Sequence, residues 1–354
     1  MPDHRPLTWA LSAVVLASLL LPGGKAITHE GEEKLIGWKG EVIPDAGALS
    51  KGWVEHVAWK PRVWVYHNFI TPDEALHIRK TAAPSMKRSS VVGQNGSSVL
   101  DPIRTSYGTF IRRLHDPTIA RVMERVAQWV HLPPVHAEDM QVLRYGVGQK
   151  YGAHMDSLID ESPRMATVLI YLADTEEGGE TAFPDRSEWV SPASAAQAGA
   201  GAFSECAHGS VAFKPKLGDA LLFFSIKEDG THEPASLHTG CPVVKGHKWT
   251  STVWVHSRPF RPKAYKPPRA DEATVEPGDC KDAHHMCEEW AKQGECEKNP
   301  GYMVGGRTDQ PGACRAACKA CEPCSQADPV EHRECINRNR AAGGWLVYSE
   351  TDFM

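Results

Sequence analysis

The sequence has no marked excess of charge of either sign. Among its 354 residues, 39 Lys and Arg stand against 44 Asp and Glu, which gives a formal net charge of -5. Nucleic-acid-binding proteins usually carry a basic excess, so this balance excludes nucleic acid as an expected partner. The length fits one core domain of about 200 residues and a smaller module.

Long apolar runs are also scarce. Residues 7–21 form a 15-residue apolar stretch, which is short for a membrane-spanning helix. The stretch follows Arg5 and precedes Gly24-Lys25-Ala26, which offers the small residues that a signal peptidase reads. We therefore expect residues 1–26 to be a cleaved signal peptide, with a type II signal anchor as the alternative. Either one places the chain in the secretory pathway.

Cysteine is missing from the first 205 residues. Cys206 and Cys241 lie in the middle of the chain, and the other eight lie between Cys280 and Cys335. An even number of clustered cysteines predicts disulfides in an oxidising lumen. For Cys206 and Cys241 the alternative is a pair of buried thiols.

Two histidines and an aspartate offer a possible set of metal ligands. His154 and Asp156 are two residues apart, so on an extended segment both side chains point to the same side. With His238 from elsewhere in the fold, they could occupy one face of an iron(II) centre and leave three positions free for a co-substrate and dioxygen. The His-x-Asp pattern alone is weak evidence for a metal site, because this composition should produce about one such pattern by chance.

A lysine and a tyrosine strengthen the metal hypothesis. Residues 246–256 alternate like a strand, and Lys248 within this apolar run needs an anionic partner. The compact ammonium of lysine suits one carboxylate group of a ligand, whereas the planar guanidinium of arginine requires bidentate geometry. Tyr145 lies nine residues before His154 on another alternating stretch. A dicarboxylate could fit between these two side chains.

The arrangement resembles the prolyl 4-hydroxylases, which are iron and 2-oxoglutarate dioxygenases, in the plant and algal form of that family. The resemblance runs from about residue 62 to residue 256. The motifs that carry it are Gln141-Val142-Leu143-Arg144-Tyr145, Gly148-Gln149-Lys150-Tyr151, His154-Met155-Asp156, Glu176-Glu177-Gly178-Gly179-Glu180-Thr181, Gly218-Asp219-Ala220-Leu221-Leu222-Phe223-Phe224, Ala235-Ser236-Leu237-His238-Thr239-Gly240-Cys241-Pro242-Val243 and Lys248-Trp249.

The resemblance implies a role for each residue of the hypothesis. His154, Asp156 and His238 would be the iron ligands. Lys248 would pair with the distal carboxylate of 2-oxoglutarate, and Tyr145 would donate a hydrogen bond to it. The implied reaction hydroxylates C4 of peptidyl proline and is coupled to oxidative decarboxylation of 2-oxoglutarate to succinate and carbon dioxide. Fe(2+), 2-oxoglutarate, O2 and L-ascorbate are the implied cofactors and co-substrates.

The implied partner is a proline-rich polypeptide, such as a hydroxyproline-rich glycoprotein. Its implied contacts are Arg104, Tyr151, Arg164 and Trp254, since aromatic side chains suit a polyproline II ligand. Trp254 could instead be a core residue, and Arg164 a solvated charge at the start of a strand. Family members are often anchored in the endoplasmic reticulum, so a lumenal catalytic domain is expected, either soluble or on a single-pass type II anchor.

Residues 89–98 are small and polar and predict a mobile loop before Arg104. In the family, the equivalent loop closes over the peptide, as a lid does. The alternative is an ordinary surface connection, which could be glycosylated because Asn95-Gly96-Ser97 is an acceptor sequence.

The C-terminal cysteines follow a Pro-rich linker, residues 260–279. Their spacing over residues 280–321 resembles a ShK-toxin-like (ShKT) domain, although residues 305–312 look longer than usual. The resemblance implies the pairs Cys280 with Cys321, Cys287 with Cys314 and Cys296 with Cys318, while the sequence alone permits 15 connectivities. Cys324 and Cys335 predict a further bridge in a tail, residues 322–354. A zinc site at Cys318, Cys321 and Cys324 is the alternative.

The pattern predicts a mainly β fold with flanking helices (α+β). The family's fold is a double-stranded β-helix, a jelly roll, for the catalytic domain at residues 58–259. Alternating runs predict strands at residues 62–66, 139–145, 165–172, 220–224 and 249–256. Helices are predicted after Thr71 and after Asp116, each with Pro at its first position.

Two other functions remain open at the level of the sequence. One is a different jelly-roll oxygenase that acts on lysyl residues or small molecules. The other is a non-catalytic secreted binding protein that uses the ShKT module, against which the intact set of His154, Asp156, His238 and Lys248 argues.

Overall fold

The computed structural model describes residues 52–92, 98–99, 101–157, 162–267, 276–305 and 311–353. The segment predicted as a signal, residues 1–26, and the candidate glycosylation site Asn95 lie outside these ranges. Within them, no helix combines the length and the apolar character needed to cross a membrane.

Strands dominate the first two thirds of the described chain. They are β1 (Trp53–Lys60), β2 (Val63–His67), β3 (Lys87–Arg88), β4 (Val91–Val92), β5 (Ser98–Val99), β6 (Tyr107–Ile111), β7 (Met140–Tyr145), β8 (Tyr151–His154), β9 (Arg164–Tyr171), β10 (Glu177–Gly178), β11 (Thr181–Phe183), β12 (Glu188–Trp189), β13 (Val211–Phe213), β14 (Ala220–Phe224), β15 (His238–Gly240), β16 (Val243–Lys245) and β17 (Lys248–His256).

Helices flank the strands and continue to the C-terminus. They are α1 (Pro72–Ala82), α2 (Pro117–Val130), α3 (Pro192–Gln197), α4 (Cys287–Lys292), α5 (Glu295–Lys298), α6 (Pro300–Met303) and α7 (Pro329–Ala342). Both predicted helices are confirmed. Thr71 and Glu74 form a reciprocal capping box at α1, and the Asp116 side chain accepts from two backbone N–H groups at the start of α2.

Two antiparallel sheets build the catalytic region. The larger has nine strands in the order β12-β1-β2-β14-β9-β17-β7-β6-β3, and the smaller has four in the order β13-β11-β15-β8. An apolar cluster that includes Val65 and Leu221 of the large sheet and Phe183 and Val211 of the small sheet fills the space between them at one end. The fold is therefore the jelly roll that was expected.

The helices α1 and α2 cover the outer face of the large sheet. Ile78 of α1 and Ile119, Val122 and Val126 of α2 are fully buried in one core with strand residues such as Val168. Because successive strand residues point to opposite faces, the large sheet has one face toward this helical core and the other toward the small sheet. That second face carries the candidate site.

The C-terminal region is stapled by disulfides. Its bonds are Cys280–Cys321, Cys287–Cys314 and Cys296–Cys318, the three pairs that the resemblance implies, and Cys324–Cys335, the further bridge predicted in the tail. Cys206–Cys241 lies within the catalytic region. Since all three cysteines of the alternative zinc site are oxidised, they cannot act as thiolate ligands.

The segment predicted as a tail folds against the catalytic region. Residues 329–342 form α7, and Leu346 is buried in the same core as α1 and α2. The Leu346 N–H donates to the carbonyl of Met86 at 2.8 Å, next to the edge strand β3.

Candidate functional site

His154, Asp156 and His238 meet on the inner face of the small sheet. His154 ends β8 and His238 begins β15, and the two are direct partners in the antiparallel ladder. Asp156 follows β8 by two residues. One ligand atom from each of the three residues lies within 4.8 Å of the others. Local chain geometry therefore places two of the ligand candidates together, and strand pairing adds the third.

Hydrogen bonds to the backbone fix both imidazole rings. The Nδ1–H of His154 donates to the carbonyl of Gly152, and that of His238 to the carbonyl of Ser236, each at 2.9 Å. A carbonyl can only accept, so Nδ1 carries the proton and Nε2 keeps its lone pair. Each Nε2 lies 3.6 Å from an oxygen of Asp156. Such orientation by a backbone carbonyl is typical of metal-ligating histidines.

The electrostatics of the three residues favour metal ligation. Burial lowers the pKa of His238 to about 4, so its imidazole is neutral at neutral pH. Burial alone would raise the pKa of Asp156, but the two histidines and a hydrogen bond from Thr167 hold that pKa well below its usual range. Thr167 Oγ1 donates to Asp156 Oδ2 at 2.8 Å. Two neutral imidazoles and one carboxylate are the donor set that suits iron(II).

Lys248 and Tyr145 lie on the large sheet, across the barrel from the metal-ligand candidates. They are direct partners between β17 and β7, and both are buried. Lys248 therefore lies in the large sheet, opposite His238 of the small sheet. The strand between them in sequence, β16, belongs to neither sheet and pairs with β10. The ammonium and the phenol can therefore contact a molecule that reaches across the space between the sheets.

The Lys248 ammonium has few protein partners. Its Nζ donates to Thr181 Oγ1 at a long 3.4 Å and lies 5.5 Å from the centre of the Tyr145 ring. Burial lowers the pKa of Lys248 to about 7, against a smaller opposing effect of the Glu180 carboxylate. Glu180 is already engaged by the backbone N–H and the hydroxyl of Ser204. A buried lysine with so weak a partner is suited to an anionic ligand.

A small cavity joins these groups. His154, Asp156 and His238 line it on one side and Lys248 and Tyr145 on the other. Apolar and hydroxyl side chains fill the wall between them. A small dicarboxylate could span the cavity with one end near the metal ligands and the other at the ammonium.

Arg104 and Tyr151 lie together at one edge of the cavity. The Arg104 guanidinium carbon is 4.5 Å from the centre of the Tyr151 ring, and its Nη2 donates to Gln141 Oε1 at 3.0 Å. The ring of Tyr151 also stacks on His154, with 3.6 Å between ring centres. Within the described residues, the buried Nε of Arg104 has no hydrogen-bond partner.

Arg164 and Trp254 form a second pair near the cavity. The guanidinium carbon lies 4.0 Å from the centre of the Trp254 ring, which lines the cavity. Trp254 is 9% exposed, and its buried Nε1–H finds no acceptor within the described part of the chain. Arg164 is not a solvated charge, because it pairs with the largely buried Glu138.

Sequence reasoning missed the residues that support Arg164. Glu138 Oε1 also accepts a 2.9 Å hydrogen bond from His256 Nε2. Burial would raise the pKa of Glu138, but bonds from His256 and Arg164 hold it below the usual value. His256 ended the alternating run and could have been singled out on that ground, whereas Glu138 carried no signal.

Comparisons with known proteins agree with this geometry. Residues 140–256 match the family described as the 2OG-Fe(II) oxygenase superfamily. Two proteins of Arabidopsis thaliana, probable prolyl 4-hydroxylase 4 and prolyl 4-hydroxylase 2, are each 42% identical over 275 residues, which covers 76% of this chain and 88% of the relative. The chain belongs to the prolyl 4-hydroxylase family. It is an oxidoreductase of the dioxygenase class, for which the family implies Fe(2+), 2-oxoglutarate and O2.

This prolyl 4-hydroxylase also aligns with a solved structure. The 2-oxoglutarate complex of a viral collagen prolyl hydroxylase, from Paramecium Bursaria Chlorella virus-1, aligns with 55% of this chain and 96% of its own. The sequence identity is 22% and the TM-score is 0.40.

Proposed function

We propose that this protein hydroxylates C4 of proline residues in polypeptides of the secretory pathway, with hydroxyproline-rich glycoproteins as the substrate class. One oxygen atom of O2 enters the C4–H bond of proline, and the other enters 2-oxoglutarate, which leaves as succinate and carbon dioxide. The observation that carries the proposal is that His154, Asp156 and His238 face Lys248 and Tyr145 across one shared cavity.

In this proposal His154, Asp156 and His238 would hold Fe(2+), which would supply the activation of O2 when bound. The donor set fits the ion because both Nε2 atoms and a carboxylate oxygen converge while each Nδ1–H is held by a carbonyl. Thr167 keeps the Asp156 carboxylate oriented. With only these three residues as protein ligands, the ion would keep open positions for the co-substrate and O2.

Lys248 and Tyr145 bind the distal carboxylate of 2-oxoglutarate. The buried ammonium supplies the counter-charge and the phenol donates a hydrogen bond. Burial raises the pKa of Tyr145 to about 12, so the hydroxyl keeps its proton at neutral pH and serves as a donor. Both side chains come from one strand pair, which fixes the distance between them.

The proline-rich chain lies across the cavity mouth, against Arg104, Tyr151, Arg164 and Trp254. Arg104 and Trp254 are each more than nine-tenths buried, and Arg104 Nε and Trp254 Nε1 have no hydrogen-bond partner among the described residues. The tyrosine and tryptophan rings offer flat surfaces to proline rings.

Five disulfides support an oxidising compartment, and we place the protein in the lumen of the endoplasmic reticulum. A signal peptide or signal anchor at residues 1–26 would deliver it there. L-ascorbate would keep the iron reduced, and Asn95 is a candidate for glycosylation. Residues 280–321 would form the appended ShKT module after the linker at residues 260–279.

The direct test is incubation of the purified protein with Fe(2+), 2-oxoglutarate, ascorbate and a Ser-Pro-rich peptide. We expect a mass gain of one oxygen for each modified proline, located at proline by fragmentation. A lysine-containing peptide without proline is the matched control. Oxygen added to the lysine peptide, or to neither peptide while succinate still forms, would contradict the assignment to proline.

The affinity for 2-oxoglutarate should depend on pH through Lys248. Without co-substrate its pKa is lowered to about 7, and binding needs the protonated form. Affinity should therefore stay level below about pH 7 and fall about tenfold per pH unit above it, because the proton must then be taken up from solvent. Calorimetric titration of the manganese-loaded protein measures this. A profile that is flat or that rises between about pH 7 and 9 would contradict the role of Lys248.

A further inference from the structure

The side chain of Asp352 is buried behind the proposed co-substrate site. It is 2% exposed, although it belongs to the C-terminal segment. Its Oδ1 accepts from Arg144 Nε at 3.0 Å and Nη2 at 2.9 Å, and from Trp249 Nε1 at 3.4 Å. Its backbone carbonyl accepts from Arg79 Nη1 at 2.8 Å. One residue thus joins α1, β7 and β17.

The strands that Asp352 joins are those that carry the co-substrate contacts. Arg144 precedes Tyr145 on β7, and Trp249 follows Lys248 on β17. In the ladder, Lys248 is the partner of Tyr145, and Trp249 is the partner of Arg144. Successive residues of a strand point to opposite faces. Tyr145 and Lys248 therefore face the cavity while the next pair faces Asp352, one residue away along each strand.

The segment that carries Asp352 is fixed to the catalytic region by several contacts. Trp345 is 3% exposed, lies under the ammonium of Lys87 and forms an antiparallel bridge with that residue. The buried Arg340 donates to the carbonyl of Ala83 at 2.8 Å and to that of Leu346 at 2.6 Å. These contacts hold the C-terminal segment at the edge and outer face of the large sheet, so Asp352 is held in place by its own chain.

We propose that Asp352 is a positioning residue for the 2-oxoglutarate site. The C-terminal segment would then contribute to co-substrate binding by the catalytic domain. The inference rests on the proposed function of Lys248 and Tyr145. The carboxylate ties β7 to β17 at the pair next to these residues and so sets the separation of the ammonium and the phenol. Without it, the partly buried guanidinium of Arg144 loses the counter-charge that holds it against β17, which releases the strand that carries Tyr145.

The test is the dissociation constant of 2-oxoglutarate for Asp352→Asn, measured by calorimetry on the manganese-loaded protein. Asparagine keeps the size of the side chain and removes its charge. We expect the constant to rise about tenfold, the scale seen when an orienting outer-shell group is lost. The dissociation constant of the proline peptide should change by less than about twofold, because Asp352 bonds to the neighbours of Lys248 and Tyr145 and to none of the residues proposed to contact the peptide.

Glu74→Gln is the matched control for a purely structural effect. Glu74 forms a buried ion pair with Arg125 at 3.1 Å on the helical side of the same domain. This variant should lower the melting temperature while leaving 2-oxoglutarate binding unchanged. If Glu74→Gln and Asp352→Asn weaken 2-oxoglutarate binding equally, or if Asp352→Asn leaves it within about twofold of the parent, the proposal is overturned.

A double-variant cycle separates positioning from general damage. In a Lys248→Met background, Asp352→Asn should have little further effect on 2-oxoglutarate binding, since the contact it positions is gone. Full additivity of the two effects would overturn the proposal. If Asp352→Asn does not fold, Arg144→Lys takes its place, with a smaller rise expected. Failure of the parent protein to bind 2-oxoglutarate would refute the proposed function itself, and the positioning role with it.

Discussion

Asp156→Ala should abolish detectable proline hydroxylation and reduce iron(II) affinity by more than 100-fold, beyond the roughly 10–100-fold that loss of an outer-shell partner costs. Asp156 is the anionic member of the proposed ligand set and lies between the two histidines, 3.6 Å from each Nε2. Two neutral imidazoles without it offer no charge to balance a divalent cation. Iron content after dialysis against a weak chelator, together with peptide mass, measures both effects.

Thr167→Val is the control for Asp156→Ala. It removes only the 2.8 Å hydrogen bond to Asp156 and keeps a side chain of similar shape. Its iron affinity should fall by about tenfold, as for an outer-shell group. If Asp156→Ala retained iron as well as Thr167→Val does, Asp156 would not be a ligand.

Lys248→Met should have the second largest effect, on the co-substrate and not on the metal. Methionine keeps an unbranched chain of similar length and removes the ammonium. Loss of one member of a buried charge pair typically costs about 3–5 kcal/mol, so the dissociation constant of 2-oxoglutarate should rise by at least about 100-fold. Iron affinity should stay within about twofold, because Lys248 lies on the opposite sheet from the ligands.

The same substitution should leave the protein without co-substrate at least as stable as the parent. Lys248 is 3% exposed, and burial lowers its pKa to about 7. Keeping the buried ammonium charged therefore costs the folded protein free energy. Melting temperatures of both proteins without 2-oxoglutarate measure this. Unchanged 2-oxoglutarate affinity in Lys248→Met, or a strongly destabilised protein, would refute the assignment.

Local patterns in the sequence predicted much of the fold. The strand at residues 220–224 is β14, and the capping box at Thr71 begins α1, because both depend on neighbouring residues alone. The other predicted strands differ from the structure by one residue at one end or at both ends, where pairing rather than pattern decides. The division into a nine-stranded and a four-stranded sheet carried no local signal, since it is set by contacts between distant strands.

The residues of the candidate site were likewise predictable only where a local motif contains them. His154, Asp156, His238, Lys248 and Tyr145 could be found because each belongs to a recognisable motif. Long-range partners could not. Arg144 and Asp352 are 208 residues apart, and each looks like an ordinary surface charge until the C-terminal segment packs against the sheet. The burial of a charge depends on tertiary contacts, which a single sequence does not display.

At the proposed site, one molecule of O2 should be divided between proline and 2-oxoglutarate. The most direct measurement is turnover under isotopically labelled O2 in unlabelled water, with mass analysis of both products. We expect one labelled oxygen in each hydroxylated proline, one in each succinate, and equal amounts of the two products. Hydroxyl oxygen derived from water, or succinate that carries label while the peptide remains unmodified, would contradict the proposed function.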